Sequence, residues 1–324
     1  MYILNRACLS AMHILKQNGS SVQAVTEAIK QLENDPSTNA GYGSNLCLTG
    51  KVECDASLMT GKSGTFGAVG AVSGLKNPIE TPFQMVTEAE KGFELIWQVS
   101  RFLAGDGAKQ WAKSRKIPTI GDDDLIEPNA HEMYLKHIQM LVEEQESQNT
   151  DLGHDTVGAI CIDSKGDISA GVSSGGISLK SPGRVGEAAM YGSGCWAQNA
   201  KGDFPGVACS TTGTGEQIMR TMFTYKCAER LLKEDDIQTA VIDALDNDFL
   251  ESPMLCMYDQ KSVGTIALRS QKSHGRTRVE FWFGHVTEDM GIGYLSGKMK
   301  APKAFVSRKA LSSDRIVSRG QLIS

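Results

Sequence analysis

His154-Asp155-Thr156-Val157-Gly158-Ala159-Ile160-Cys161-Ile162-Asp163 is the stretch on which the reading of this chain turns. A polar, acidic approach gives way to an apolar run from Val157 to Ile162, which Ser164-Lys165-Gly166-Asp167 closes with turn-forming residues. That pattern predicts a buried strand. Thr156 stands at its first position, where two readings are open. A β-branched residue suits a strand for purely structural reasons. Alternatively, a cut before Thr156 frees an α-amino group beside a hydroxyl, so that one residue supplies both base and nucleophile.

Downstream, the order is strand 157–162, turn, strand Ile168 to Val172, then Ser173-Ser174-Gly175-Gly176. Two adjacent strands joined this way would bring Ser174 back beside Thr156. Gly183-Arg184-Val185-Gly186-Glu187 follows, with a lone arginine between glycines. Glycines let backbone and ligand approach closely, and a guanidinium offers a carboxylate a two-pronged partner; a structural surface arginine is the other reading. Val207 to Ser210 predicts a strand that leads through Thr211-Thr212-Gly213-Thr214-Gly215-Glu216 into a long helix over 216–233. Such a loop offers N–H donors to a phosphate or a developing oxyanion, although it lacks the third glycine and the lysine of phosphate-binding motifs. A helix over 235–249 and strands near 263–269, 278–287 and 291–296 complete an αββα-like tally. The tail from Lys298 to Gly320 carries seven basic residues against Asp314 alone and reads as a disordered, solvated end.

Upstream, helices are expected over 6–17 and after Ser20, whose hydroxyl and Gln23 fit a capping box. Val22, Val25, Ile29 and Leu32 then share one face. Asn39-Ala40-Gly41-Tyr42-Gly43-Ser44-Asn45 is a loop able to turn sharply and present backbone N–H groups. Strands are expected at Leu46 to Leu48, Val52 to Met59 and Gly67 to Val72, and helices near 87–103 and 107–114. Residues 121–155 hold ten acidic residues against Lys136. Within them 129–145 predicts a helix with partial apolar faces at Met133, Leu135, Ile138 and Leu141, and Glu146 to Gly153 reads as a mobile loop.

The chain's 324 residues can bury a large core, and a single α/β domain is favoured. A net charge of -5 leaves no concentrated basic face for nucleic acid. No apolar run reaches the length of about 18 residues that a membrane span needs, and Met1 to Arg6 lacks the pattern of a signal peptide. Eight scattered cysteines without a C-x-x-C pair imply reduced thiols in an intracellular protein. Six histidines without metal spacing predict no zinc site, and no cofactor is expected.

Several segments in order resemble the type 2 asparaginase family of N-terminal-nucleophile hydrolases. They are Thr38 to Leu46, Asp55-Ala56-Ser57-Leu58-Met59 through Lys76-Asn77-Pro78, Asp155 to Ala159, Ser173 to Gly176, Gly183 to Gly186 and Gly213 to Glu216. Within the family the chain is most similar to the threonine-aspartase (taspase) branch, through Ser174, Tyr191 to Ala197 and the strand-rich end at Glu280-Phe281-Trp282. The resemblance implies a four-layer αββα sandwich in a single domain. Residues 1–155 would form an alpha fragment and 156–324 a beta fragment that begins with the nucleophile.

It further implies that the Thr156 hydroxyl attacks the carbonyl of Asp155 and that the resulting ester hydrolyses, freeing an amine whose reference pKa of roughly 7.7–8.0 suits a base. By the same resemblance Ser174 orients the nucleophile, Thr212 and the N–H of Gly213 form an oxyanion hole, and Arg184, Glu187 and Asn39 bind substrate. Glu187 stands where asparaginases usually place an aspartate. The main expectation is therefore an endopeptidase cutting after aspartate. Its implied substrates are trithorax-type histone methyltransferases and the precursor of general transcription factor IIA, its location nuclear or cytoplasmic, and its assembly a dimer of two-fragment units. The rivals are an asparaginase or isoaspartyl peptidase and a non-catalytic paralogue that acts by binding. Family members also begin with a strand inside the nucleophile's sheet, whereas this chain starts almost within its first helix. The resemblance thus implies a missing first strand, an unpaired position in that sheet, and weak or no activity for the chain as written.

Overall fold

The computed structural model describes residues 1–92, 101–143, 156–273, 276–310 and 315–323. Two helices open it, α1 (Tyr2–Lys16) and α2 (Ser21–Glu33). The capping box is present as expected: Ser20 Oγ accepts from the Gln23 N–H, and the Gln23 side chain accepts from the Ser20 N–H. Val25, Ile29 and Leu32 are buried along one face of α2. Next come β1 (Cys54–Thr60), β2 (Phe66–Val72), α3 (Glu80–Glu90), β3 (Phe102–Ala104), α4 (Gly105–Ser114) and α5 (Pro128–Val142). The second half runs β4 (Val157–Ile162), β5 (Ile168–Ser174), β6 (Cys195–Gln198), β7 (Gly206–Gly213), α6 (Gly215–Thr221), α7 (Phe223–Lys233) and α8 (Ile237–Asp243), which continues as a π-helix over Ala244–Leu250. β8 (Val263–Ser273), β9 (Arg276–His285), β10 (Asp289–Tyr294), β11 (Lys303–Arg308) and β12 (Val317–Leu322) finish it.

Two five-stranded sheets result, ordered β3-β2-β1-β5-β4 and β12-β9-β8-β7-β6. The faces they turn toward each other are joined by Met59, Phe66, Ala170, Val172, Ala197, Ala208 and Leu268. The outer face of the first sheet packs on α2 to α4 through Ile29, Leu58, Val69 and Met85, and α1 lies against α2. The outer face of the second packs on α6 to α8 through Ile218, Phe223, Leu231, Val241 and Ala267. This is the αββα sandwich that the resemblance implied. Strands buried on both faces must be short-chained where layers crowd. A Cβ on Gly171 would lie 2.9 Å from Ile29, Leu58 and Val25 alike, and one on Gly158 would lie 2.0 Å from Ser210 Oγ.

Several expectations need correction. The basic tail is ordered within the described residues, because β11 pairs with β10 and β12 with β9, giving the second sheet its edge. The expected helix over 87–103 is displaced: α3 ends at Glu90 and Phe102–Leu103 belong to β3, while 93–100 lie outside the described residues. Leu46 makes a single bridge to Val52 instead of forming a strand. The expected helix 216–233 breaks at Met222, which adopts φ 49° and ψ 40°. α5 buries His137 and half-buries Tyr134, whereas Met133, Leu135 and Leu141 face solvent. Glu146 to Gly153 and Asp155 fall outside the described residues.

On the side away from β5, β4 has no strand partner among the described residues. A cavity of about 1150 Å³ runs along that edge, lined by α1, by α2, by β4 itself and by residues of the second sheet such as Ile266, Leu268 and Phe281. Thr156, Thr212 and Gly213 line the same cavity.

Candidate active site around Thr156

Thr156 immediately precedes β4, and the β4–β5 register pairs Val157 with Ser173. One step back along that register puts Thr156 opposite Ser174, the last residue of β5. Thr156 Oγ1 lies 3.0 Å from Ser174 Oγ and 2.9 Å from Glu187 Oε1. A threonine has one hydroxyl proton, so it can donate to only one of them at a time. Ser174 Oγ also accepts the Gly176 N–H at 3.0 Å, which fixes its lone pairs and leaves its own proton free to serve Thr156.

The loop that carries Arg184 and Glu187 is fastened to β1. Asp55, fully buried, accepts the Ala71 N–H at 2.8 Å with Oδ1 and the Gly186 N–H at 2.7 Å with Oδ2. Glu53 adds two ties: its carboxylate accepts the Gly183 N–H at 2.8 Å, and its carbonyl accepts Lys180 Nζ at 2.7 Å. β1 pairs with β5 so that Asp55 faces Ser174. Three neighbouring strands thereby deliver Asp55, Ser174 and Thr156 to one end of the sheet. Burial pushes the Asp55 carboxyl above its ordinary range, against the pull of Lys180.

Glu187 is buried, and burial pushes its carboxyl up to about 7, although the Thr156 hydroxyl and Arg184 favour the charged form. Asp55 opposes them, as a like charge nearby must. The Arg184 guanidinium donates to Glu216 Oε1 from Nε at 2.9 Å and from Nη2 at 2.7 Å. It is therefore not a free fork awaiting a ligand. A Cβ on Gly215 would lie 2.4 Å from Glu187 Oε2 and 2.9 Å from Arg184 Nη2, and one on Gly186 would lie 2.8 Å from Nη1. Glycine at these positions is what lets a buried acid and a guanidinium converge.

Asn39 sits behind the site. Its amide donates to the Gly176 carbonyl at 2.9 Å, and its Oδ1 accepts the Asn45 N–H at 2.9 Å. The Gly175 N–H donates to the Asn39 main-chain carbonyl at 2.8 Å, so Asn39 holds the turn that follows Ser174 by backbone and side chain together. Thr212 and Gly213 end β7 beside the nucleophile's strand, and Gly213 has φ +138°, a backbone setting that favours glycine. Asp55 is the residue whose importance a reading of site residues missed. An acid flanked by Cys54, Ala56 and Leu58 in a strand was its visible signal, since a buried carboxyl needs dedicated donors. No cluster of residues among those described could hold a metal ion, and no described helix is long and apolar enough to cross a membrane. All eight cysteines are free thiols.

The Asparaginase family model matches residues 2–280. The chain is 39% identical over 217 residues to the mouse (Mus musculus) isoaspartyl peptidase/L-asparaginase, covering 66% of this chain and 61% of that protein. The human (Homo sapiens) isoaspartyl peptidase/L-asparaginase is 38% identical over the same length, with 66% and 65% covered. A putative isoaspartyl peptidase/L-asparaginase of Dictyostelium discoideum is 32% identical over 256 residues, with 69% and 70% covered. The match thus spans roughly 61–65% of the length of the mouse and human relatives. With a two-sheet sandwich and a threonine at the head of an edge strand of the first sheet already in view, this chain belongs to the type 2 asparaginase family of N-terminal-nucleophile hydrolases.

Proposed function

We propose that the chain cuts itself between Asp155 and Thr156 and then uses the freed Thr156 to hydrolyse β-aspartyl bonds, as an isoaspartyl peptidase or L-asparaginase. The observation that carries this reading is the hydroxyl of Thr156 held between Ser174 Oγ at 3.0 Å and Glu187 Oε1 at 2.9 Å. A new amine on Thr156 serves as base. The Ser174 hydroxyl stabilises charge on Oγ1, and donors around Thr212 and Gly213 receive the oxyanion. Arg184 holds a substrate carboxylate, sharing its guanidinium with Glu216 or displacing it. The names of the similar proteins favour the β-aspartyl chemistry.

A second reading, an endopeptidase cutting after aspartate in chromatin and transcription regulators, has two residues in its favour. Ser174 stands where ordinary asparaginases usually carry threonine. Glu187 is engaged with the nucleophile, and so is a poorer receptor for the ammonium group of a free amino acid. In that reading Arg184 grips the side-chain carboxylate of aspartate instead of its α-carboxylate, and the work is nuclear. Free asparagine, a β-aspartyl dipeptide and an aspartate-containing peptide assayed in parallel separate the two. Hydrolysis of the aspartate peptide alone would overturn the first reading.

The shared premise is tested on a denaturing gel. Wild type should resolve into fragments ending at Asp155 and beginning at Thr156, and Thr156→Ala should stay a single species of 34.9 kDa. A wild type that stays whole yet turns over substrate would exclude the mechanism.

A further inference from the structure

We propose that Glu187 is the base of the self-cleavage step, taking the Thr156 hydroxyl proton while Thr156 is still an interior residue of the chain. The inference rests on the reading of Thr156 as a self-cleaving nucleophile, and it answers a chemical need which that reading leaves open. In the cut protein the α-amine of Thr156 is the base. In the uncut chain the same nitrogen belongs to a peptide bond, its lone pair delocalised into the carbonyl, and it cannot accept a proton. The first turnover of every molecule needs another acceptor.

The described side chains bonded to Thr156 Oγ1 are Ser174 and Glu187. Ser174 is a hydroxyl whose oxygen already accepts from the Gly176 N–H, and a serine hydroxyl is not a base near neutrality. Glu187 is a carboxyl 2.9 Å from the attacking oxygen, within the reach a general base requires. Its position is fixed by the tie from Gly186 N–H to Asp55 and by the close backbone of Gly215. The charged groups around it are Arg184, which favours its ionised form, and Asp55, which opposes it; Glu216 faces Arg184 and takes part of that positive charge. Burial sets the carboxyl at about 7, basic enough to take a proton yet still ionised in a fair share of molecules at neutral pH. An aspartate in its place would end about 1.5 Å short, one carbon–carbon bond.

The step balances within the chain and one water. As Oγ1 of Thr156 bonds to the Asp155 carbonyl carbon, its proton passes to Glu187 Oε1 and the carbonyl π pair moves onto oxygen. When that oxyanion collapses, the Asp155–Thr156 C–N bond breaks, and its electron pair takes the proton back from Glu187. An ester to Thr156 Oγ1 and a free α-amine result. Water then adds hydroxide to the acyl carbon and a proton to Oγ1, and Glu187 ends as it began.

The test follows fragment appearance in freshly translated full-length chain, chased across about pH 5 to 9 and read on denaturing gels. The wild-type rate should rise about tenfold per pH step below 7 and level off above it. Glu187→Gln should cut at least about 100-fold more slowly and show no inflection near 7. Glu187→Asp should be slower than wild type but keep an inflection. A Gln variant within about threefold of the wild-type rate, or a wild-type rate flat from about pH 5 to 8.5, would overturn the proposal. The wild-type profile decides even if a variant misfolds. Normal cutting in Glu187→Gln removes only this role of Glu187; a wild type that stays whole at every pH removes the reading of Thr156 and this proposal with it.

Discussion

Arg184 shows how a single side chain can be legible in type and illegible in circumstance. Glycines on either side of an arginine announce a guanidinium among close backbone, and the structure finds it packed against Gly176, Gly186 and Gly215. What spacing could not show is that Glu216, at the start of α6, already accepts from Nε and Nη2. The fit of that pair depends on where α6 begins, which three-dimensional packing decides. Arg184→Ala should lower kcat/KM on substrates bearing the gripped carboxylate by about 10²–10⁴-fold, equivalent to the ~3–5 kcal/mol of leaving a buried charge unpaired. Arg184→Lys should recover little of it, because an ammonium cannot reproduce a two-pronged contact. Unchanged kinetics in both variants would take Arg184 out of the site.

Among the elements, α2 was legible to its cap and its buried face, because a capping box and a regular apolar spacing are local signals. α5 lies where a helix was expected, but its buried face was not legible: Met133, Leu135 and Leu141 face solvent and His137 is buried, while Ala130 and Tyr134 pack against the cluster around Leu125. The break at Met222 is equally non-local, for nothing in the residue itself favours a left-handed turn. The basic tail misled for a related reason. An excess of basic residues suggested a solvated end, yet β12 supplies the sheet edge that β9 needs, and Val317 is buried there.

The last residue of α2 carries a hidden cost. Glu33 is fully buried, and its Oε1 accepts from Ser173 Oγ at 2.7 Å and from the Ile79 N–H at 3.0 Å, so it joins α2 to β5 and to the start of α3. Burial pushes its carboxyl up to about 8. A folded-state pKa above the unfolded value means that the native state holds the proton more tightly. The resulting stabilisation is complete below the unfolded value of about 4.3 and is lost as pH rises through about 8. Melting temperature should therefore fall between about pH 5 and 9 in wild type, and Glu33→Gln should flatten that fall and melt higher than wild type at the alkaline end. Glu187 acts with the same sign at about 7, so some slope should survive the substitution. Equal slopes in the two proteins would show that Glu33 does not hold a proton in the fold.

At the scale of the molecule, the four layers were legible through the motifs that resemble the family, because those segments occur in family order along the chain. Strand order was not legible, since β1 to β5 pairing joins residues more than a hundred positions apart. The bare side of β4 makes a prediction of its own. Alternate amides of an edge strand point away from its partner. In hydrogen–deuterium exchange those of residues 157–162 that face the cavity should exchange far faster than those bonded to β5. Uniform protection of the whole strand would mean that something pairs with it in solution.

The first sheet takes β3, β2 and β1 from before Thr156, and β5 and β4 from after it, with Asp55 to Thr60 zipped against Ser174 to Ser169 across the junction. Before a cut at Thr156, refolding is a matter for one chain and is indifferent to dilution. Afterwards the two halves must find each other, so recovery from denaturant becomes second order and fails when the protein is dilute. A molecule matured in this way keeps its shape only as long as it is never unfolded, and its history, more than its sequence, then determines whether it can return.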